Sequence, residues 1–196
     1  MKRAVSVSIG SSKRDKAVEV EMLGEKISIE RIGTDGDMEK AAHLYKELDG
    51  QVDAFGVGGA DLGALAYGKF YPFHSVQPMV RFVEKTPVVD GGGLKNTLEN
   101  KTPAFIDQHI GDYINERGRN AFVTLGVDRW GMSTSFVEAG YEVIFGDLMF
   151  ALDVPMAIKS LGGLRLLAKL MIPIVTRFPF EWLYPTGDKQ DERTPK

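Results

Sequence analysis

Cysteine is absent from the chain. That one absence removes disulfide bonds, thiolate nucleophiles and cysteine-ligated zinc, and it fits a reducing compartment, so a cytoplasmic location is the expectation. Histidine is scarce as well: His43, His74 and His109 have no metal-ligand spacing with one another, and no metal site is expected. An excess of basic charge is also missing. A net charge of −3 argues against a general nucleic-acid binder, which needs a cationic face to meet phosphates. No run reaches the roughly 18 uncharged apolar residues of a membrane span, so no integral span is expected. The opening MKRAVSVSIGSS begins with basic residues as a signal peptide does, but its apolar run is short and ends in a polar loop, which reads as a first strand.

What is abundant is glycine, 22 residues, placed again and again at the ends of apolar, β-rich runs. The fullest case spans Asn120 to Asp147, NAFVTLGVDRWGMSTSFVEAGYEVIFGD. A buried strand over Ala121 to Leu125 stops at Gly126, a helix follows from Met132 to Ala139, Gly140 ends it, and a second strand runs from Tyr141 to Phe145. Strand, glycine turn, helix, strand and then an acid is the order of a dinucleotide-binding βαβ unit, with Asp147 where the ribose-binding acid stands. The G-x-G-x-x-G fingerprint is broken, however, to Gly126-x-Asp128-x-x-Gly131. A carboxylate at the middle glycine brings bulk and negative charge to the place of the pyrophosphate, with Arg129 partly offsetting it. Either Asp128 excludes a pyrophosphate from this loop, or it caps its own helix while Arg129 forms a surface ion pair.

Other segments read in the same way. Val5, Val7 and Ile9 alternate with serines in a first strand, which runs into GSSKRDK. There Ser11, Ser12, Lys13 and Arg14 form either an anion cradle or a solvated turn. Val18–Met22 and Lys26–Ile32 read as a hairpin. In GTDGD, Thr34 and Asp37 fit a capping box for a helix carrying Met38, Ala41, Ala42, Tyr45 and Leu48, and Asp35 with Asp37 could alternatively hold a metal. A strand over Val52–Val57 enters GVGGADL, expected to open a short helix past Asp61. His74, in a loop before a helix ending near Glu84, is an acid or base, or a structural histidine. A strand over Thr86–Asp90 meets Gly91-Gly92-Gly93-Leu94-Lys95-Asn96-Thr97. Asp90, Lys95 and Asn96 then lie at a parallel strand's carboxyl end, where open α/β sheets bind ligands, unless the stretch is only a flexible turn. Thr102 and Pro103 start a long helix whose Phe105, Ile106, His109, Ile110, Tyr113 and Ile114 form one stripe. Beyond Pro155 an apolar segment with Arg165, Lys169, Pro173 and Arg177 reads as a core-packing helix pair, an oligomer contact over 156–185, or a membrane-surface helix. The tail GDKQDERTPK is polar.

Several blocks carry a family resemblance: VSVSIGSSKRD, RIGTDGD, GVGGADL, PVVDGGGLKNTLE, VDRWGM, VIFGDLMFAL and WLYPTGDKQ. Through them the chain resembles a bacterial family of quinate 5-dehydrogenase proteins of the shikimate/quinate dehydrogenase type. The resemblance implies a substrate lobe, a linking helix and a nucleotide lobe, an NAD or NADP cofactor, and a lysine with an aspartate beside the hydroxyl being oxidised. It also implies further α/β material beyond the last residue, so that the chain is a piece of a longer protein. The asparagine-valine-threonine and proline-histidine-lysine block of shikimate dehydrogenases is absent, and Lys95 in LKNT is a loose functional analogue.

Together these readings predict a three-layer, mainly parallel, Rossmann-like α/β fold with an apolar helical C-terminal segment. Strands are expected near Val5, Val52, Val88, Val123 and Ile144. The expected divisions are an α/β lobe over 1–100, a linking helix over 101–118, a βαβ unit over 119–155 and the apolar segment with its tail over 156–196. The function expected is an NAD(P)-dependent dehydrogenase of a polyhydroxy carboxylate, with Lys95, Asp128 and Asp61 as catalytic candidates. Gly126, Asp128, Arg129, Gly131 and Asp147 are assigned to the cofactor, and Ser11, Ser12, Lys13, Arg14, Asp90 and Asn96 to substrate or anion. The alternatives are a non-catalytic ligand-binding or regulatory module, or a transferase using a nucleotide-like cofactor such as S-adenosylmethionine.

Overall fold

The computed structural model describes residues 1–184, and the polar tail lies outside the described residues. In chain order the strands are β1 (Lys2–Ser8), β2 (Lys16–Met22), β3 (Glu25–Gly33), β4 (Ala54–Gly58), β5 (Gly63–Ala66), β6 (Lys69–Pro72), β7 (Val88–Val89), β8 (Asn120–Val123) and β9 (Glu142–Phe145). The helices are α1 (Met38–Leu48), α2 (Gly92–Asn96), α3 (Thr102–Asn115), α4 (Trp130–Glu138), α5 (Asp147–Leu152), α6 (Leu161–Val175) and α7 (Phe180–Leu183). They form a mixed α/β protein of two compact units. The first comprises Met1–Leu62, Pro72–Gly91 and the chain from Thr176; the second comprises Gly63–Tyr71 and Gly92–Val175.

The first unit is built on a five-stranded sheet of order β2-β3-β1-β4-β7. β1 pairs in parallel with β3 and β4, β4 in parallel with β7, and only the edge strand β2 is antiparallel. The alternation in β1 does what it predicts: Val5, Val7 and Ile9 are fully buried. Helix α1 covers them with Ala41, Ala42 and Tyr45, all fully buried. The Tyr45 hydroxyl lies 3.2 Å from the Val7 carbonyl and 3.0 Å from that of Gly56, which pins the helix across two strands. Asp37 caps α1, accepting from the Lys40 amide at 2.8 Å. Thr34 is not the capping residue; it is buried and donates to the Ser8 carbonyl at 3.2 Å.

The second unit holds the expected βαβ, with β8 and β9 parallel and α4 between them. Its core gathers Val123, Trp130, Phe136, Tyr141, Val143 and Phe145 with Leu164, Ala168 and Ile172 of α6. Ala66 of the β5–β6 hairpin is buried in the same cluster.

Several expectations are corrected. The five parallel strands do not share one sheet: those at Val5, Ala54 and Val88 do, whereas β8 and β9 form a separate two-stranded sheet. The glycine loop after β4 opens no helix. It leads into a hairpin, because Tyr67 and Gly68 (φ 41° and 76°) make a two-residue turn with both residues left-handed, the geometry that joins adjacent antiparallel strands. The helix near Glu84 is a single 3-10 turn over Gln77–Val80. Gly92 and Gly93 are the start of α2 rather than an open loop. The helix expected to link two lobes, α3, belongs wholly to the second unit. Its apolar stripe is divided by a kink at Ile110 (φ −139°), so that Ile106 and Ile114 pack on the core while Phe105, Ile110 and Tyr113 are exposed.

Candidate functional site

The carboxyl end of β8 and the start of α4 bring together three residues singled out in the sequence. Lys95, at the last turn of α2, places its Nζ 2.8 Å from Asp128 Oδ1. Asp128 Oδ2 lies 3.5 Å from Arg129 Nε, and Arg129 also pairs with Glu99. The lysine side chain is only 18% exposed, against 40% for Asp128, so the ammonium is the more sheltered partner of the pair. Asp128 therefore does not cap α4: the capping position is Arg129, without a side-chain cap. Asn96 donates to the Gly92 carbonyl at 2.7 Å and supports the helix that carries Lys95.

Glu99 and Asn100 were not foreseen. Their signal was available, since Glu99 stands one helical turn after Lys95 and Asn100 one turn after Asn96. Asn100 donates to the Asn96 carbonyl at 2.9 Å. Its side chain packs where a Cβ on Gly131 would sit, so Gly131 is needed for the approach of this turn to α4. Glu99 Oε2 and Asn100 Oδ1 are buried acceptors without a hydrogen-bond partner.

Asp147 departs most from expectation. Its carboxylate accepts from the Gly126 amide at 2.9 Å and the Val127 amide at 2.8 Å, and the residue is 4% exposed. Burial pushes its pKa up, against the pull of those two amides. The acid expected at a ribose thus sits on the amides that would face a pyrophosphate. Gly126 is held closely too, with Phe145, Leu164 and Ser133 around the position of a Cβ. These residues do not fit a dinucleotide pyrophosphate on this loop: two of its amides are already bonded to the Asp147 carboxyl, and Asp128 adds bulk and a second acidic side chain.

The first unit repeats the pattern. At the end of β1, the Ser12 amide donates to Asp35 Oδ1 at 2.7 Å, and that bond, followed by one to the Ser12 side chain, holds the Asp35 carboxyl below its usual range. Ser11 Oγ accepts from the Lys13 amide at 3.3 Å, and Arg31 ties the loop from Ser8 to Asp15. One donor of the cradle predicted at Ser11, Ser12, Lys13 and Arg14, the Ser12 amide, is therefore taken by the protein's own Asp35 carboxylate. Asp90 Oδ2 accepts from the Leu62 amide at 2.6 Å, and Asp61 lies alongside Gly91. Both acids belong to the first unit, whereas Lys95 belongs to the second. His74 contributes its amide to the Thr176 carbonyl at 2.9 Å, and among the described residues no group of histidines and acids could hold a metal ion.

Comparison with known families divides the chain at one of the points where it passes from the first unit to the second. Residues 3–90 match a domain of unknown function, DUF8753, and residues 93–196 match a second, DUF8754. The chain belongs to the DUF8754 family. The junction between the two matches falls at Gly91 and Gly92, and the DUF8754 portion contains Lys95, Asp128, Arg129 and Asp147. No curated protein and no solved structure matches the chain.

Proposed function

We propose that the chain binds a polyhydroxy carboxylate of the quinate or shikimate kind at the Lys95–Asp128 pair, and that the pair handles the proton of a ligand hydroxyl. The observation that carries this is the 2.8 Å contact between Lys95 Nζ and Asp128 Oδ1, made by residues 33 positions apart. An ammonium offers several donors to a hydroxyl or carboxylate, and the aspartate beside it accepts the hydroxyl proton. Arg129 adds a planar guanidinium suited to a carboxylate. The parallel βαβ supports a Rossmann-like reading of the second unit, and the lysine–aspartate pair supports a dehydrogenase of such an acid. Calorimetry with quinate and shikimate tests the binding: Lys95→Met and Asp128→Asn should each weaken it about 10-fold or more, the cost of losing a charged hydrogen bond. Undiminished binding in both variants would sink the assignment.

NAD or NADP is the cofactor that a dehydrogenase reading requires, and the occupied amides of Gly126 and Val127 stand against it on this loop. Calorimetry with both nucleotides decides: heat from either supports the enzyme, and silence from a folded chain removes it. The second reading, a ligand-binding or regulatory module without catalysis, is favoured by the protein's own side chains on loop amides in both units, Asp35 on Ser12 and Asp147 on Gly126. A melting-temperature panel that includes S-adenosylmethionine separates the transferase from both.

A further inference from the structure

Helix α6 presents three kinds of surface. Leu164, Ala168 and Ile172 are buried in the core of the second unit. Two residues beyond each, or about 200° around the helix, stand Leu166, Leu170 and Ile174, which are 60%, 60% and 53% exposed. Arg165 and Lys169, one residue beyond the buried positions, are also exposed and flank that outer apolar stripe.

The charge carried by this stretch of chain is of one sign. From Val154 to Phe180 the sequence carries Lys159, Arg165, Lys169 and Arg177 and not one aspartate or glutamate, within a chain whose net charge is −3. Two copies joined through α6 about a two-fold axis would bring these cations towards their own counterparts, with no carboxylate on the helix to meet them. An anionic lipid surface supplies the missing charge: headgroups pair with Arg165 and Lys169, and the acyl boundary takes the leucines. The helix has 15 residues with Pro173 inside, and no helix among the described residues is long and apolar enough to cross a membrane. The arrangement suits a helix that lies on a bilayer.

We propose that the outer face of α6, Leu166, Leu170 and Ile174 flanked by Arg165 and Lys169, is a docking surface for an anionic membrane. The test is co-sedimentation of the full chain with vesicles of phosphatidylcholine mixed with phosphatidylserine, and with vesicles of phosphatidylcholine alone. Binding is expected only to the mixed vesicles, with release by salt. Lys169→Gln should lower partitioning about fivefold, the effect of one cation near such a surface. The double variant Leu166→Ser, Leu170→Ser should reduce binding to background while its circular dichroism stays that of the parent. Equal binding to both vesicle types, binding to neither, or binding that these variants leave unchanged would overturn the proposal. So would a wild-type dimer in sedimentation equilibrium that the leucine variant dissociates, since the stripe would then be an interface between copies.

Discussion

Asp147 sets the character of the β8–α4 loop, and its effect is open to measurement. Removing its carboxylate leaves the buried Gly126 amide and the half-buried Val127 amide without their acceptor. Asp147→Ala should therefore cost about 1–3 kcal/mol, read from urea unfolding. Inorganic phosphate should raise the melting temperature of that variant and leave the parent unmoved; an equal response of both would show that Asp147 is not the occupant of the loop. Asp107 offers a pH test. Its oxygens meet Arg119 at 2.9 Å and the Tyr141 hydroxyl at 2.6 Å, and the arginine first, then the tyrosine, hold its carboxyl below the usual range. A carboxylate with a depressed folded pKa contributes stability that is present above its unfolded pKa, about 4, and lost as pH falls through the folded value. The parent should lose its advantage over Asp107→Asn in that acid window, and a constant difference in melting temperature across it would refute the account. The position of Asp147 after a second strand was legible from spacing alone. Where its carboxylate points was not, because that depends on the depth at which β9 meets the loop.

Among the elements, the hairpin of β2 and β3, helix α1 and the βαβ unit follow from periodicity and punctuation. Alternation placed Val5 and Val7 inside, and glycine marked the end of α4. The β5–β6 hairpin was missed because a glycine after a strand serves a helix start and a tight turn equally well, and Tyr67-Gly68 carries little turn signal of its own. The requirement for glycine at 131 has a packing cause, the side chain of Asn100. Gly131→Ala should cost about 1–3 kcal/mol as an overpacked contact. It should also weaken ligand binding at Lys95, because Asn100 follows Lys95 on the same turn-rich segment. Unchanged stability together with unchanged binding would show that Asn100 simply moves aside.

For the whole molecule, the junction of the two family matches at residues 91 and 92 invites a cut that the units do not permit cleanly. The first unit's core includes Phe180 with Tyr184 packed against it, and the second unit's core includes Ala66 with Tyr67 and Tyr71. A fragment of residues 1–91 lacks the first pair, and a fragment of residues 92–196 lacks the hairpin residues. Each separate fragment should melt below the full chain, and mixing the two should recover part of the loss. Fragments as stable as the parent would show that these crossing segments contribute little.

The sequence by itself determined the mixed α/β class, the strands that alternate or run apolar, the parallel βαβ grammar and the exclusion of thiol chemistry. Each of these depends on residue type at short range, where periodicity and turn preferences act directly. Tertiary structure decided which strands share a sheet, since pairing depends on partners far along the chain. It also decided that Lys95 meets Asp128, and that Asp35 and Asp147 take loop amides which the glycines and serines alone would leave to other acceptors. A buried amide takes the nearest acceptor that geometry allows, and only the folded chain decides which acceptor that is.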